Sequence, residues 1–252
     1  MEIVAFVIGV IGNIISVLMF LSPVGTFIRI VKNKSTEEFD SLPYICTLLS
    51  SSLWTYYGII KPGSFLVSTT NGFGVAVEII YLSLFLLFAP PNMRLKTAVL
   101  VVVLNVGFSA TAILLAQFGS HGEMRIDVIG FLCSALNIVM YSSPLSVVKT
   151  VVTTKSVEYM PFLLSLFFFL NGGVWTLYAL LVRDWFLGVP NGIGCLLGTA
   201  QLVIYAIYRK GKSVKHIADL EEGGQIEHLL PPSATTNINY KYNGFVLSAT
   251  MY

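Results

Sequence analysis

The chain has 252 residues, of which 55% are hydrophobic and only 11% charged, with a formal net charge of +2. A soluble domain carries about 25% charged residues, so there is too little charge here to cover a water-facing surface, and no basic field to hold nucleic acid. With a mean hydropathy of +0.79, disorder and collagen-like repeats are excluded as well, which leaves an integral membrane protein.

A helix crosses the hydrocarbon core with about 20 mostly apolar residues, and seven such stretches follow in order: residues 4–28, 44–60, 65–88, 98–118, 128–148, 161–182 and 186–208. The connections are short and hold nearly all the charge. The runs are too long and continuous for the alternating strands of an outer-membrane barrel. No cation precedes Arg29, so the amino end lacks the basic region of a secretory signal and the first stretch is expected to stay in the mature protein. Cys46, Cys133 and Cys195 each lie in an apolar run and read as small buried residues, without disulfide or metal spacing. Residues 209–252 are polar, contain Gly223-Gly224 and Pro231-Pro232, and read as a disordered tail.

Seven crossings put the termini on opposite sides. Counted by side, twelve Lys and Arg residues fall at one end, and only Lys61, Arg125 and Arg183 at the other. The positive-inside rule makes the first end cytosolic, with the carboxyl terminus there and the amino terminus outside or lumenal.

The sequence also repeats itself. A shift of 121 superimposes Gly9 on Gly130, Met19 on Met140, Ser22-Pro23 on Ser143-Pro144, Lys34-Ser35 on Lys155-Ser156, Trp54-Thr55 on Trp175-Thr176 and Tyr57 on Tyr178. A shift of 120 brings Asn71-Gly72 onto Asn191-Gly192, and one of 118 brings Pro43 onto Pro161. Chance similarity between apolar helices would match Leu and Val, not Pro, Trp, Asn and Gly, so this is an internal duplication. Each copy has three helices and the fourth helix belongs to neither. That odd helix makes the copies parallel, giving an all-α membrane protein of two three-helix repeats joined by a linker helix: 4–90, linker 97–119, 127–208, then the tail. Paired repeats around a central site are a transporter arrangement, with substrate near the midplane between the copies.

Ser50, Trp54 and Tyr57 share one face of the second helix, as their mates Asn171, Trp175 and Tyr178 do on the sixth. With Asn71 and Asn191 they line the axis with amides that donate and accept and with flat aromatic faces, a chemistry suited to a sugar. Asn and Ser also serve as links between membrane helices, but two symmetry-matched amides facing a Ser/Trp stripe favour substrate contact. Glu78 is the only ionisable residue well inside a span; a structural role and a proton relay both fit it. The histidines all fall in a loop or the tail, no catalytic constellation can be assembled, and neither an enzyme nor a cofactor or metal is expected. So few intramembrane acids favour facilitated diffusion of a neutral solute.

These motifs resemble the SWEET sugar transporters over about residues 5 to 210. The resemblance rests on Gly9 with Gly12-Asn13, Ser22-Pro23, Lys34-Ser35-Thr36-Glu37, Met140-Tyr141-Ser142-Ser143-Pro144-Leu145, Lys155-Ser156-Val157-Glu158-Tyr159-Met160-Pro161 and Val189-Pro190-Asn191-Gly192. The run Leu42 to Leu48 with Ser52 to Gly58 is similar to the plant branch associated with the vacuolar membrane, the plasma membrane being the alternative. The resemblance implies bidirectional sugar uniport by alternating access. It implies a binding pocket of Ser50, Trp54, Asn71, Asn171, Trp175 and Asn191 with Met19 and Met140 as its floor. It further implies a four-proline hinge at Pro23, Pro43, Pro144 and Pro161, and a gate formed by Tyr57 and Asp184, for which a solvated pair of Asp184 with Arg183 is an equal rival. Two Trp and two Met fill volume that a disaccharide would need, so fructose or glucose is expected over sucrose. The resemblance also allows homo-oligomers. Among other classes, a proton-coupled exporter of the PQ-loop type would carry Pro-Gln pairs, whereas here Pro43 precedes Tyr44 and Pro161 precedes Phe162. A seven-helix receptor would not be duplicated.

Overall fold

A computed structural model describes residues 2–119, 121–157 and 160–229, with only the helical course given for 210–229. The remaining tail, and Glu158-Tyr159 of the second loop motif, lie outside the described residues. Among those described, every element is helical. The first span is α1 (Glu2–Leu21) with α2 (Val24–Asn33), followed by α3 (Leu42–Ile60) and α4 (Phe65–Phe88). The linker span runs through α5 (Pro91–Leu100), a π-helical segment (Val101–Phe108) and α6 (Ser109–Gly119). Then come α7 (Glu123–Met140) with α8 (Ser142–Thr154), α9 (Phe162–Val182) and α10 (Trp185–Leu229). Helices satisfy their own backbone, which is what a chain in lipid requires.

Six of these spans are long and apolar enough to cross a membrane by composition; α3 is the one that falls short. Its Thr47, Ser50, Ser51, Ser52 and Thr55 explain the shortfall, and its position explains why they are tolerated. It packs against α4, α7 and the linker, so nine of its residues are buried. The linker has the reverse character. Its buried side chains are Thr97, Ser109 and Ala116, while Val102, Val103, Leu115 and Phe118 are exposed, the pattern of a lipid-facing helix. It starts at Pro91, six residues before the expected 97. α10 continues as helix to Leu229, beyond the expected end of the span near residue 208, because no proline occurs between residues 209 and 230 and Gly223-Gly224 does not interrupt it.

In each repeat the third helix lies between the first two: α4 packs on both α1 and α3, and α10 on both α7 and α9. The copies meet through α1 against α9 and α3 against α7, so the first helix of each repeat faces the second helix of the other. The central axis runs between them.

Proline sets the breaks. Pro23 has no N–H for the carbonyl of Met19, which instead accepts from the Ser22 backbone at 3.1 Å and the Ser22 hydroxyl at 2.8 Å. The first span divides there, and the fifth divides at Tyr141, three residues before the matching Pro144. Pro43 and Pro161 sit at the starts of α3 and α9, where a missing N–H costs nothing. Inside α10, Pro190 leaves the carbonyl of Phe186 without its helical donor. The Ser134 hydroxyl supplies one at 2.6 Å. Its repeat mate Asn13 donates to Leu66 O at 2.9 Å, the carbonyl equivalent to that of Phe186.

Glycines bring the helices together. A Cβ at Gly198 would lie 2.7 Å from the Phe169 backbone, which has no room to give, whereas one at Gly25 meets nothing within 4 Å. Gly198→Ala is therefore expected to destabilise the detergent-purified protein by about 1–3 kcal/mol. Gly25→Ala should leave its thermal unfolding unchanged.

Candidate functional site

A cavity of about 580 Å³ lies between the two repeats. It is lined by all eight of the expected binding residues: Met19, Ser50, Trp54 and Asn71 of the first repeat, and Met140, Asn171, Trp175 and Asn191 of the second. The two amides on the third helices are held alike. Asn71 Nδ2 donates to Val67 O at 2.9 Å and Asn191 Nδ2 to Leu187 O at 2.8 Å, each one turn back on its own helix. Among the described residues, neither amide is bonded to a neighbouring helix. Their carbonyl oxygens and second N–H groups remain for a ligand.

Two further residues complete the wall, and sequence reasoning did not single them out. Ser16 donates to Asn171 Oδ1 at 2.8 Å and accepts from Trp175 Nε1 at 3.0 Å. Across the axis, Ser50 donates to Asn137 Oδ1 at 3.0 Å. Ser16 and Asn137 are repeat mates at the same shift of 121, and so are Ser50 and Asn171. Each half thus pairs one serine with one asparagine, with the two residue types exchanged between helices. The signal was present in the repeat, but Ser against Asn is not an identity and escapes a search for identical residues. One difference breaks the symmetry: Trp54 Nε1 is buried and has no acceptor among the described residues.

The end of the cavity toward Lys61 and Arg183 is closed. Trp54 packs edge-on against Tyr57 at 5.2 Å between ring centroids, and Trp175 against Tyr178 at 5.4 Å. The Tyr57 hydroxyl donates to Asp184, with oxygens at 2.9 and 3.0 Å. Lys61 Nζ lies 2.7 Å from Asp184 Oδ2 and 2.8 Å from the Tyr57 hydroxyl. Asp184 is 2% exposed, and its charge is paired with Lys61, not with its exposed neighbour Arg183. Lys61 entered the sequence analysis only as a cation counted for orientation. Tyr178, the mate of Tyr57, has no acid to meet: at the shift of 120 the position equivalent to Asp184 is Ser64, and the Tyr178 hydroxyl donates to the carbonyl of Gly63 at 3.4 Å.

At the cation-rich end the wall includes exposed Pro43, Ser143 and Leu164, so the cavity opens on this side. Pro23 and Pro43 line it; Pro144 and Pro161 stand outside the lining, at the break of the fifth span and the start of α9. Beyond this mouth, Arg29 forms a two-point pair with Glu37, Nη2–Oε2 being 2.6 Å and Nε–Oε1 3.1 Å. The Asn33 amide and the Arg29 guanidinium hold the Glu37 carboxyl below the usual carboxylate range.

The arrangement is suited to an uncharged solute with many hydroxyls. Amides and hydroxyls ring the middle, indole faces cover the closed end, and no cation lines the wall. Removing one partner of a buried ion pair leaves the other uncompensated. Asp184→Asn is expected to lower both thermal stability and transport, while Arg183→Gln should leave both near wild type. A pair of Asp184 with Arg183 would instead make Arg183→Gln lower both as well.

Residues 6–93 and 127–213 match the family described as sugar efflux transporter for intercellular exchange, one match per repeat with the linker outside both. The chain is 58% identical to the bidirectional sugar transporter SWEET17 of Arabidopsis thaliana over 234 residues, 90% of this chain and 97% of the relative. It is also 58% identical to SWEET16 of the same plant over 221 residues, 87% and 94% of the two chains. Among solved structures, a eukaryotic SWEET transporter superposes with a TM-score of 0.80 at 40% identity, covering 83% of this chain and 98% of that one. The duplicated helices, the cavity between them and these likenesses lead to one conclusion: the chain belongs to the SWEET family of multi-pass membrane transporters.

Proposed function

We propose that this protein carries sugars across a membrane in either direction by facilitated diffusion, exposing one cavity alternately to the two sides. The observation that carries the proposal is the pair of back-bonded amides, Asn71 and Asn191, one from each repeat, in the wall of a cavity closed at one end and open at the other. Names of the relatives, bidirectional sugar transporters, agree with it. Voltage does no work on a neutral sugar, and the site has no charged pair of the kind that a driving ion would use.

In this reading Met19, Ser50, Trp54, Asn71, Met140, Asn171, Trp175 and Asn191 contact the sugar. Tyr57 and Asp184 close the lumenal or outer side, and Pro23, Pro43, Pro144 and Pro161 are the pivots of the cytosolic side. The cation-rich end is cytosolic by the positive-inside rule, so the arrangement described here faces the cytosol. Each chain contains a whole pathway, and a homo-oligomer would hold several. The plant-type motif in α3 points to the vacuolar membrane.

Counterflow of labelled fructose, glucose and sucrose in liposomes tests the reading. Counterflow of a monosaccharide without a proton gradient is expected. Uptake that needs the gradient would favour the proton-coupled alternative, and no sugar counterflow at all would defeat the proposal. Selectivity is tested separately at the two methionines, whose side chains fill the width of the pathway. Met19→Val with Met140→Val is expected to admit sucrose, and unchanged selectivity would refute the steric account.

A further inference from the structure

Two turns along α4 from Asn71, on the same face and toward the open end, stands Glu78. It lines the cavity, yet the residue is 3% exposed and its Oε2 has no hydrogen-bond partner among the described residues. Buried carboxyl oxygens are ordinarily satisfied, and one that served to join helices would have found its donor. The repeat supplies a second argument. The equivalent position in α10 is Gly198, packed against the backbone of Phe169 with no room for a side chain, so helix packing at this level does not call for a carboxyl group.

The surroundings of Glu78 are those of a sugar subsite. Tyr44 and Thr47 of α3 line the same stretch of the cavity. Tyr44 is held edge-on against Phe27 at 5.0 Å and Tyr81 at 5.9 Å, two rings stacked on each other at 4.3 Å, and Tyr81 is itself tied to Phe20 O at 3.0 Å. Phe20 packs over Gly74, between the levels of Asn71 and Glu78. Its repeat mate Tyr141 packs over Gly194 but is pinned by its hydroxyl to Pro190 O at 2.6 Å. Phe20 has no such tether. Seven residues of helix separate Glu78 from Asn71 by about 10 Å, more than the width of one sugar ring.

We propose that Glu78, with Tyr44 and Thr47, forms a second sugar-binding station between the Asn71–Asn191 level and the open mouth, with the Phe20 ring as the divider. The carboxyl oxygens take neighbouring sugar hydroxyls as donors, and the Tyr44 and Phe20 rings cover the C–H face. The central station offers amides of both characters, whereas this one offers mainly acceptors. This inference rests on the sugar-transport reading above.

Binding of labelled glucose and fructose to the purified full chain, read together with liposome counterflow, tests it. The wild type is expected to bind two sugars per chain. Glu78→Gln, close in shape and so retaining the fold, should weaken one of the two phases at least fivefold, and Glu78→Leu should abolish that phase and leave the other. Asn71→Ala with Asn191→Ala should do the converse. A single phase in the wild type, or two phases unchanged in Glu78→Gln, would overturn the second station while leaving sugar transport intact. A proton-gradient requirement that disappears in Glu78→Gln would also overturn it, by making this residue a proton carrier. Absence of any sugar binding and any counterflow in the wild type would instead remove the reading on which it rests.

Discussion

Two hydroxyl-to-amide bonds across the repeat boundary hold the centre of this molecule: Ser16 to Asn171 and Ser50 to Asn137. A polar side chain left without a partner in a membrane interior is costly, and these four side chains find their partners in the other copy. The first helix of one repeat is thereby set against the second helix of its mate, twice. Neither repeat could bury its polar stripe alone. The cavity is what remains between two surfaces that must meet but are too bulky, with two indoles and two thioethers, to meet everywhere.

The same need for partners shapes the backbone. Proline withdraws donors at Pro23 and Pro190, and in each case a serine takes over, Ser22 locally and Ser134 from a different helix. The Asn13 to Leu66 bond keeps the place of the Ser134 bond in the first repeat, even though Thr70 stands there in place of proline. Hinge-like breaks are thus compatible with a satisfied backbone. In the first span the break leaves no stray carbonyl at Met19.

Much of this was legible in the sequence because the informative residues are chemically distinctive and occur twice. Pro, Trp, Tyr and Asn survive a shift of 120 or 121 and announce both the repeat and the wall of the cavity. Less distinctive substitutions hid the rest. Ser16 and Asn137 share a position and a bond but not an identity. Lys61 reads as a loop cation until the fold brings it to Asp184, 123 residues away in the chain and 2.7 Å away in space. Sequence order gives no hint that the third helix of each repeat sits between the other two, since that follows from which faces can pack. The π-helical turn in the linker and its early start at Pro91 also lack a periodic signal, because a helix that is apolar all round has no preferred face.

Fusing two copies through an extra span also frees them from having to be the same. An assembly of identical three-helix units would carry each side chain in duplicate around its axis. Two aspartates would then crowd the closed end, and two carboxyl groups would confront each other at the level of Glu78. In this chain those positions are Asp184 against Ser64, and Glu78 against Gly198. The lipid-facing linker, which adds little to the wall of the cavity, is the element that permits odd-numbered chemistry at the heart of an even-numbered architecture.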